Sequence, residues 1–238
     1  MKRICVDSFI VEVGRMCNRV CEHCLRGKME DVSISLDNVK RVLRQVDRIN
    51  TIVFTGGEPT LYSKEIVKII RYIIKNNIDV GGFYIASNGE VYSPELMAAL
   101  VDLYAYADVC PDECGTAFEV SDDQFHTPNR DVVKKLKSFA FYSERSNIDE
   151  RYIIDEGYAS ENGIGCSENA FKNQFGVTLD EYNDGNDEYT FEQLYLNALG
   201  YMYSGCNYSY ETQREHEDIH CKNMTLRQLV SSDFVHIY

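Results

Sequence analysis

Two hydrophobic periodicities alternate along the first half of the chain. Four short apolar runs predict β-strands, and the segments between them repeat apolar residues every three or four positions, as one face of a helix does. The predicted strands cover residues 8–13, 51–55, 82–87 and 116–120. The helical faces are formed by Val39, Val42, Leu43 and Val46, by Ile66, Ile69, Ile70 and Ile73, and by Leu96, Ala99, Leu100 and Leu103.

Helix-start signals support this alternation. Ser35 and Ser63 precede the first two helical faces, and Ser93-Pro94 combines a capping hydroxyl with a proline in the first turn. Thr127-Pro128 predicts the start of a fourth helix that continues to Leu136. Strands that alternate with helices imply right-handed βαβ units and a parallel sheet, so we predict an α/β fold that is a full or partial barrel. In such barrels the chemistry lies at the C-terminal ends of the strands.

The pattern weakens in the second half. Residues 152–154 predict a fifth strand, and residues 155–188 predict mostly loop, with one short helix near residues 170–175. Residues 193–204 predict two short strands around Leu199-Gly200, and residues 225–230 predict a closing helix.

Length and composition are typical of one large globular domain with a short appendage. The chain has 238 residues, of which 44% are hydrophobic and 26% are charged. We expect residues 1–155 to form most of the core, and residues 156–238 to complete the barrel and add a small C-terminal extension that contains a β-hairpin. No apolar run is long enough to span a membrane, and Asp7 interrupts any secretory signal, so we expect a cytoplasmic protein without a membrane partner.

The net charge and the cysteine content argue against some classes of function. With 38 acidic and 24 basic residues, the net charge of −14 repels nucleic acid backbones, so we expect no nucleic acid partner. Acidity by itself also simply promotes solubility. The nine cysteines are an odd number in a chain without a signal, which argues against a secreted disulfide framework and favours metal binding or catalysis.

Three cysteines are clustered directly after the first predicted strand. Cys17, Cys21 and Cys24 form a C-x3-C-x2-C pattern. Three thiolates on one loop can bind three irons of a [4Fe–4S] cluster and leave the fourth iron open. Structural zinc usually uses paired C-x2-C units, and His23, beside two of the thiols, would strain a tetrahedral site. From the loop alone, zinc and unliganded thiols stay open as alternatives.

A second motif follows the second predicted strand. It reads Thr55-Gly56-Gly57-Glu58-Pro59. The two glycines allow the backbone to approach a bound molecule closely, and Glu58 can accept a hydrogen bond from an ammonium group. On its own the motif is also typical of an ordinary strand-to-helix turn.

Together, the two motifs resemble the signature of the radical S-adenosylmethionine (SAM) superfamily, which has this cysteine loop after strand one and a GGE motif after strand two. The resemblance covers roughly residues 8–155 and implies a partial (β/α)6 barrel, in agreement with the alternation above. It implies an enzyme with one [4Fe–4S] cluster, ligated by Cys17, Cys21 and Cys24. It further implies that the open iron takes the amino and carboxylate groups of SAM.

The resemblance also implies which residues surround SAM. Gly56, Gly57 and Glu58 would hold the methionine ammonium, and the backbone of His23 would lie near the adenine. The family's adenine motif near strand five has no clear match, although Gly157-Tyr158-Ala159 lies in that region. The resemblance also implies that Ser87 and Asn88 line the SAM pocket and that Ser121 and Asp122 contact the ribose or the carboxylate. Ordinary capping or turn chemistry stays open for these last two sites.

The reaction class follows from the resemblance. A reduced cluster would pass one electron to SAM, and the resulting 5′-deoxyadenosyl radical would take a hydrogen atom from the substrate. The implied partner is a low-potential electron donor of the flavodoxin or ferredoxin type. Residues 194–211 are similar to the hairpin that opens the auxiliary-cluster domains of peptide-modifying members, so we expect a peptide or protein substrate. A nucleotide-like small molecule, a glycyl radical partner and a non-enzymatic metal-binding scaffold remain as alternatives.

The other cysteines carry weaker expectations. Cys110 and Cys114 are expected to be structural thiols, and the C-terminal region has no C-x2-C pair for an auxiliary cluster. Cys206 is a candidate donor of a hydrogen atom to the substrate radical if it faces the barrel interior, and a packed thiol is the alternative. Alternating tyrosines in this region are expected to pack rather than relay radicals; they are Tyr201, Tyr203, Tyr208 and Tyr210.

Overall fold

The alternation of strands and helices in the first half is confirmed. The computed structural model describes residues 3–107, 115–167, 174–181, 187–215 and 221–238. The first five strands are β1 (Arg3–Gly14), β2 (Arg48–Gly56), β3 (Asp79–Ser87), β4 (Ala117–Ser121) and β5 (Tyr142–Arg145). The helices between them are α1 (Leu36–Leu43), α2 (Ser63–Lys75), α3 (Pro94–Tyr106) and α4 (Arg130–Leu136), and a 3₁₀ turn, Pro59–Tyr62, precedes α2.

The second half contains shorter elements. They are a 3₁₀ turn (Glu150–Tyr152), α5 (Gly157–Glu161), β6 (Phe175–Asp180), β7 (Glu188–Leu196), β8 (Met202–Tyr203), α6 (Thr212–Glu215), α7 (Leu226–Val230) and β9 (Val235–Ile237). The helix predicted near residues 170–175 lies mostly outside the described residues, and Phe175 itself begins β6.

The predicted position of the fifth strand was wrong. Residues 150–152 form a 3₁₀ turn, which begins where the Asp149 carboxylate accepts a hydrogen bond from the Arg151 backbone N–H (3.1 Å). Ile154 makes only an isolated bridge with Ser167. The real fifth strand, β5, is four mostly polar residues at the edge of the sheet, so it carries no apolar run to reveal it.

Short polar side chains determine where the helices begin. The Ser35 hydroxyl accepts from the backbone of α1 at 3.2 Å, and Ser93 does the same for α3 at 3.3 Å. Asn129, rather than Thr127, caps α4, with its side-chain oxygen 3.0 Å from the Asp131 nitrogen. Thr225 opens α7 as expected.

The sheet is open and mostly parallel, as a partial barrel requires. Its strand order is β5-β4-β3-β2-β1-β7-β6-β9, and β8 pairs with β7. The six neighbouring strands from β5 to β7 in this order are parallel to one another, whereas β6 and β8 run antiparallel to β7. The chain's own order therefore brings the C-terminal ends of β1 to β5 to the same edge.

Side-chain alternation divides the sheet into two faces. In β1, Phe9 and Val11 pack into the main core with the helices, whereas Ile10 belongs to a smaller cluster with Tyr195 and Tyr203. The face that carries Ile10 is the inner face of the partial barrel. The helices α1 to α4 cover the outer face, which leaves the inner face available for a site.

The C-terminal hairpin is confirmed and is part of the main sheet. β7 and β8 pair antiparallel, with Tyr195 opposite Tyr203. β7 also pairs with β1 in parallel, from Arg3 opposite Glu188 to Val11 opposite Leu196. In the described part of the chain, no helix has the length and apolar character to span a bilayer.

Candidate active site

A cavity of about 240 Å³ lies at the C-terminal ends of β1 to β5. Every residue predicted for the cluster and for SAM lines it, except Asp122. The Asp122 carboxylate instead accepts from both terminal nitrogens of Arg130 in α4 (2.5 and 3.2 Å). The lining residues that were predicted are Cys17, Cys21, His23, Cys24, Gly56, Gly57, Glu58, Ser87, Asn88 and Ser121.

The three cysteines of the loop after β1 are free, half-buried and turned to this same cavity. Burial, and then the negative charge of neighbouring thiolates, raises the pKa of Cys21 to about 11, and burial likewise raises the pKa of Cys17. A bound metal reverses this effect, because a coordinated thiol is deprotonated. Three thiols around one cavity fit a [4Fe–4S] cluster with three protein ligands.

The same thiols do not form a compact single-ion site. Within the described ranges, no three His, Cys, Asp or Glu side chains are grouped closely enough to hold one metal ion together. A [4Fe–4S] cluster does not require such convergence, because each thiolate binds a different iron.

The glycines after β2 allow its backbone to touch the end of β1. The Gly57 N–H donates to the Gly14 carbonyl (3.0 Å), and the Glu58 N–H donates to the Met16 carbonyl (2.9 Å). A Cβ on Gly56, whose φ is 141°, would lie 2.1 Å from the Gly14 oxygen, and one on Gly57 would lie 2.3 Å from the Met16 oxygen. The sequence suggested that these glycines approach a ligand, and in the structure they approach the chain leading into the cysteine loop.

Glu58 joins the ends of β2 and β3. Its side chain is buried, with 2% of its surface exposed. One oxygen accepts from the Thr60 N–H (3.0 Å), the Thr60 hydroxyl (2.7 Å) and the Ser87 hydroxyl (2.9 Å), and the other accepts from the Asn88 N–H (2.9 Å). Each carboxylate oxygen has two lone-pair sites, so the second oxygen, which accepts a single hydrogen bond, keeps one site open. Glu58 therefore has a structural role that the sequence did not reveal.

Asn88 connects the end of β3 to the cysteine loop. Its side-chain N–H donates to the Asn18 side-chain oxygen at 2.8 Å, and the same nitrogen lies 3.9 Å from the Cys17 sulfur. On the loop itself, the Arg19 backbone N–H points to the Cys17 sulfur at 3.4 Å. The cysteine loop is thus held both by the Gly56-Gly57-Glu58 turn after β2 and by Asn88 at the end of β3.

A group of rings lies over the cavity after β4. The His23 ring stacks on Phe125, with 4.1 Å between ring centroids, and meets His126 edge-on at 5.1 Å. Burial, and then the nearby His126, lowers the pKa of His23 to about 4, so this ring is neutral at neutral pH. The His23 ring lines the cavity and is backed by Phe125, so its outer face, planar and uncharged, is suited to stacking against a heteroaromatic base.

Sequence reasoning missed His126 and Asp123. His126 Nε2 lies 3.4 Å from the Cys21 sulfur, and its Nδ1 lies 2.8 Å from the Asp123 carboxylate. Both follow Ser121-Asp122, so the available signal was a histidine in a loop that already carried candidate site residues.

Two arginines of the cavity were also missed. Arg145 ends β5, where its guanidinium donates to the Ser121 hydroxyl (2.9 Å) and lies 3.6 Å from the Glu119 carboxylate. Arg26 follows the last cysteine of the loop and is 8% exposed. Burial disfavours its charge, but Tyr195 and Glu12 nearby outweigh burial and raise the pKa of Arg26 above its ordinary value.

The C-terminal half packs against the cysteine loop from the other side. The Tyr158 N–H donates to the Cys24 carbonyl (2.9 Å), and the Tyr210 N–H donates to the Arg26 carbonyl (3.1 Å). Gly157, with φ of 54°, touches the same loop, because a Cβ there would lie 2.5 Å from the Leu25 oxygen. The Gly157-Tyr158-Ala159 segment thus lies next to the predicted cluster site.

A buried ionic network joins β1 to the C-terminal region. Arg15 is fully buried and donates to Glu12, Glu30 and Gln213, each at 2.6 Å. Glu12 is also fully buried, and it accepts from the Tyr195 hydroxyl and from the Ala198 N–H. The network fixes the backbone that leads from β1 into the cysteine loop.

Cys206 lies on the inner face of the sheet. It is half-buried and packs against the cluster that contains Ile10, together with Tyr195 and Tyr208, the two tyrosines that contact Arg26. It is not among the residues that line the 240 Å³ cavity. The neighbouring tyrosines pack as expected, since Tyr203 and Tyr208 are 0% and 2% exposed. Cys110 and Cys114 lie outside the described residues.

Comparison with solved structures supports the fold. The structure described as native anSMEcpe with bound AdoMet and Cp18Cys peptide matches with a TM-score of 0.55 at 13% identity, over 96% of this chain and 81% of that one. Streptococcus suis SuiB bound to precursor peptide SuiA matches with a TM-score of 0.47 at 12% identity, over 95% of this chain and 64% of that one. At 13% identity, the similarity to the anSMEcpe structure shows a shared fold and nothing about function.

Comparison with sequences gives the family. No curated protein matches the chain. The family model of the radical SAM superfamily matches residues 11–135, which is more than half of the 238 residues and includes both motifs. Members of this superfamily are enzymes that use a [4Fe–4S] cluster and SAM. The chain belongs to the radical SAM superfamily.

Proposed function

We propose that this protein is a peptide-modifying radical SAM enzyme. It binds one [4Fe–4S] cluster through Cys17, Cys21 and Cys24, cleaves SAM reductively and abstracts a hydrogen atom from a peptide or protein. The observation that carries this proposal is the shared cavity. Three free thiols, the Gly56-Gly57-Glu58 turn and the ends of β3 and β4 all line it.

When bound, the cluster supplies the electron that cleaves SAM. The chain's own residues bind and orient SAM around it. The open lone-pair site of Glu58 and the turn before it accept from the ammonium group, and Ser121 with Arg145 donates to the carboxylate. His23, backed by Phe125, provides the stacking surface for adenine, and Ser87 with Asn88 holds Glu58 in place.

Asp122 has the weakest support of the predicted pocket residues. Its carboxylate is engaged by Arg130, outside the cavity lining. We therefore assign the polar contact at the end of β4 to the Ser121 hydroxyl, and we keep Asp122 as a residue that fixes the start of α4 next to it.

Two observations support a peptide substrate. The C-terminal hairpin, β7 and β8, extends the sheet next to β1 and leads into residues that touch the cysteine loop. In addition, the anSMEcpe structure, which shares the fold, holds a peptide. We propose residues 1–155 as the core and residues 156–238 as the part that completes it and adds this extension.

Cys206 is proposed as the hydrogen donor that quenches the substrate radical. It lies on the inner face of the sheet and packs against the cluster with Tyr195 and Tyr208, which contact Arg26 at the cavity wall. Donating a hydrogen atom leaves a thiyl radical on Cys206, and one electron and one proton must restore the thiol. The proposed low-potential electron donor, of the flavodoxin or ferredoxin type, supplies that electron as well as the one for the cluster.

The proposed function is tested by turnover of SAM. The protein is reconstituted anaerobically, reduced with dithionite and incubated with SAM, and 5′-deoxyadenosine is quantified by chromatography. Wild type and Cys166→Ala, which changes an exposed thiol outside the cavity, are expected to form 5′-deoxyadenosine, and Cys21→Ala is expected to form none. Equal product from Cys21→Ala, or none from wild type, would contradict the proposal.

A further inference from the structure

Arg26 is a buried cation that faces the cavity without a carboxylate of its own. It is 8% exposed and lines the cavity. One of its terminal nitrogens donates to the Tyr208 carbonyl (2.7 Å), and its guanidinium lies 5.2 Å from the ring centroid of Tyr195. Among the residues that the structure describes, no acidic side chain forms an ion pair with it.

The carboxylate near Arg26, that of Glu12, is already bound to another cation. It accepts from Arg15. Glu12 and Tyr195 favour the charge of Arg26, but neither forms an ion pair with it. A guanidinium has five N–H donors, and within the described residues only the Tyr208 carbonyl accepts from them, so donors remain at the cavity wall for an anionic group of a ligand.

The other arginines at the cavity are already assigned or paired. Arg145 bonds to Ser121 at the opposite side, on β5, next to Glu119, and is assigned above to the carboxylate of SAM. Arg19 is paired with Glu90. A phosphate dianion would require several donors and cations together, whereas a single guanidinium matches the charge and the planar geometry of one carboxylate.

We propose that Arg26 binds a carboxylate of the substrate and so selects acidic peptides. This inference rests on the proposed function and deepens it by naming the substrate class. Arg26 lies two residues after Cys24, and it contacts Tyr195 and Tyr208, the cluster against which Cys206 also packs. A substrate held by Arg26 is therefore anchored next to the cluster loop and near the proposed hydrogen donor. Tyr195 and Tyr208 hold the guanidinium in place, which makes Arg26 a preorganised recognition residue.

Binding of short peptides tests this directly. Reconstituted protein with SAM is incubated anaerobically with a library of randomised peptides whose termini are acetylated and amidated, so that Asp and Glu supply the only carboxylates. A second library has free C-terminal carboxylates and no Asp or Glu. Wild type is expected to enrich peptides with Asp or Glu from the first library, or to retain peptides of the second library and not their C-terminally amidated copies. The two results distinguish side-chain from terminal carboxylates. The absence of both results overturns the proposal.

Variants then assign the selectivity to Arg26. Removing one charge-assisted contact predicts that Arg26→Gln binds the selected peptide about 10- to 150-fold more weakly, and that Arg26→Lys retains part of the affinity. Arg44→Gln changes an exposed arginine as the matched control. Unchanged peptide affinity in Arg26→Gln overturns the proposal. So does an equally large loss of SAM affinity, which would assign Arg26 to the cofactor.

A competition on wild type keeps the test valid if the variants do not fold. Acetate is expected to displace the selected peptide at lower concentration than inorganic phosphate, and the reverse order would overturn the carboxylate assignment. Binding of the peptides requires no turnover of SAM. The outcome of the binding experiment is therefore independent of the outcome of the SAM-cleavage assay. Formation of 5′-deoxyadenosine without acidic enrichment would contradict only this inference.

Discussion

Replacing Glu58 with alanine is predicted to weaken the fold as well as the binding of SAM. The change removes the acceptor of four hydrogen bonds from a side chain that is 2% exposed. The hydroxyls of Thr60 and Ser87 can rotate toward other acceptors. The backbone N–H groups of Thr60 and Asn88 cannot, so two donors are left buried and unpaired.

The magnitude follows from those two groups. Each buried unpaired N–H costs about 1–3 kcal/mol, so Glu58→Ala is expected to lower the free energy of unfolding by about 2–6 kcal/mol. Glu58→Gln keeps one acceptor oxygen but turns an amide N–H₂ toward either the Thr60 or the Asn88 N–H. One unpaired donor then predicts a smaller loss, of about 1–3 kcal/mol.

Urea unfolding of the reduced apoprotein measures these differences without the cluster. Hydrogen exchange at the Thr60 and Asn88 amides locates them. Glu95→Ala is the matched control, because Glu95 is exposed and makes one long contact with Arg71 (3.4 Å), and its loss is expected to stay below about 1 kcal/mol. If Glu58→Ala unfolds like the control and both amides exchange at wild-type rates, the structural role assigned to Glu58 is wrong.

Two further substitutions test the support of the cysteine loop. Arg15→Met leaves the Glu12 carboxylate buried without its partner, so we expect a loss of about 3–5 kcal/mol in urea unfolding, part of which a second change, Glu12→Gln, restores. A double variant no more stable than the single one would contradict this. Gly57→Ala places a Cβ 2.3 Å from the Met16 oxygen and is expected to lose most reconstituted iron, whereas Gly115→Ala, with no atom within 4 Å, retains it. Equal iron in the two would refute the packing argument.

Much of the site could be predicted because its residues follow buried strands. β1 to β4 carry apolar runs, and the C-terminal ends of neighbouring parallel strands meet at one edge. The cysteine loop, the GGE turn and Ser87-Asn88 therefore came together as expected. The role of Glu58 as a link between strands was not predictable, because it depends on the side-chain direction within a turn.

The rest of the site depends on contacts that local patterns do not encode. β5 is a short polar edge strand, so its last residue, Arg145, could not be assigned to the cavity. The Arg15 bond to Gln213 spans 198 positions, and the parallel pairing of β7 with β1 joins opposite ends of the chain. Arg26 closely follows the cysteine motif in the sequence, but the sequence does not show that its side chain is buried. Only that burial distinguishes Arg26 from an ordinary surface arginine.

Iron content of the cysteine variants tests the central claim most directly. After anaerobic reconstitution, wild type and Cys166→Ala are expected to bind about four irons per chain. Cys17→Ala, Cys21→Ala and Cys24→Ala are each expected to lose the cluster, since each removes one of three protein ligands at the cavity. Full iron in all three variants, with the spectrum of wild type, would show that this loop does not hold the cluster.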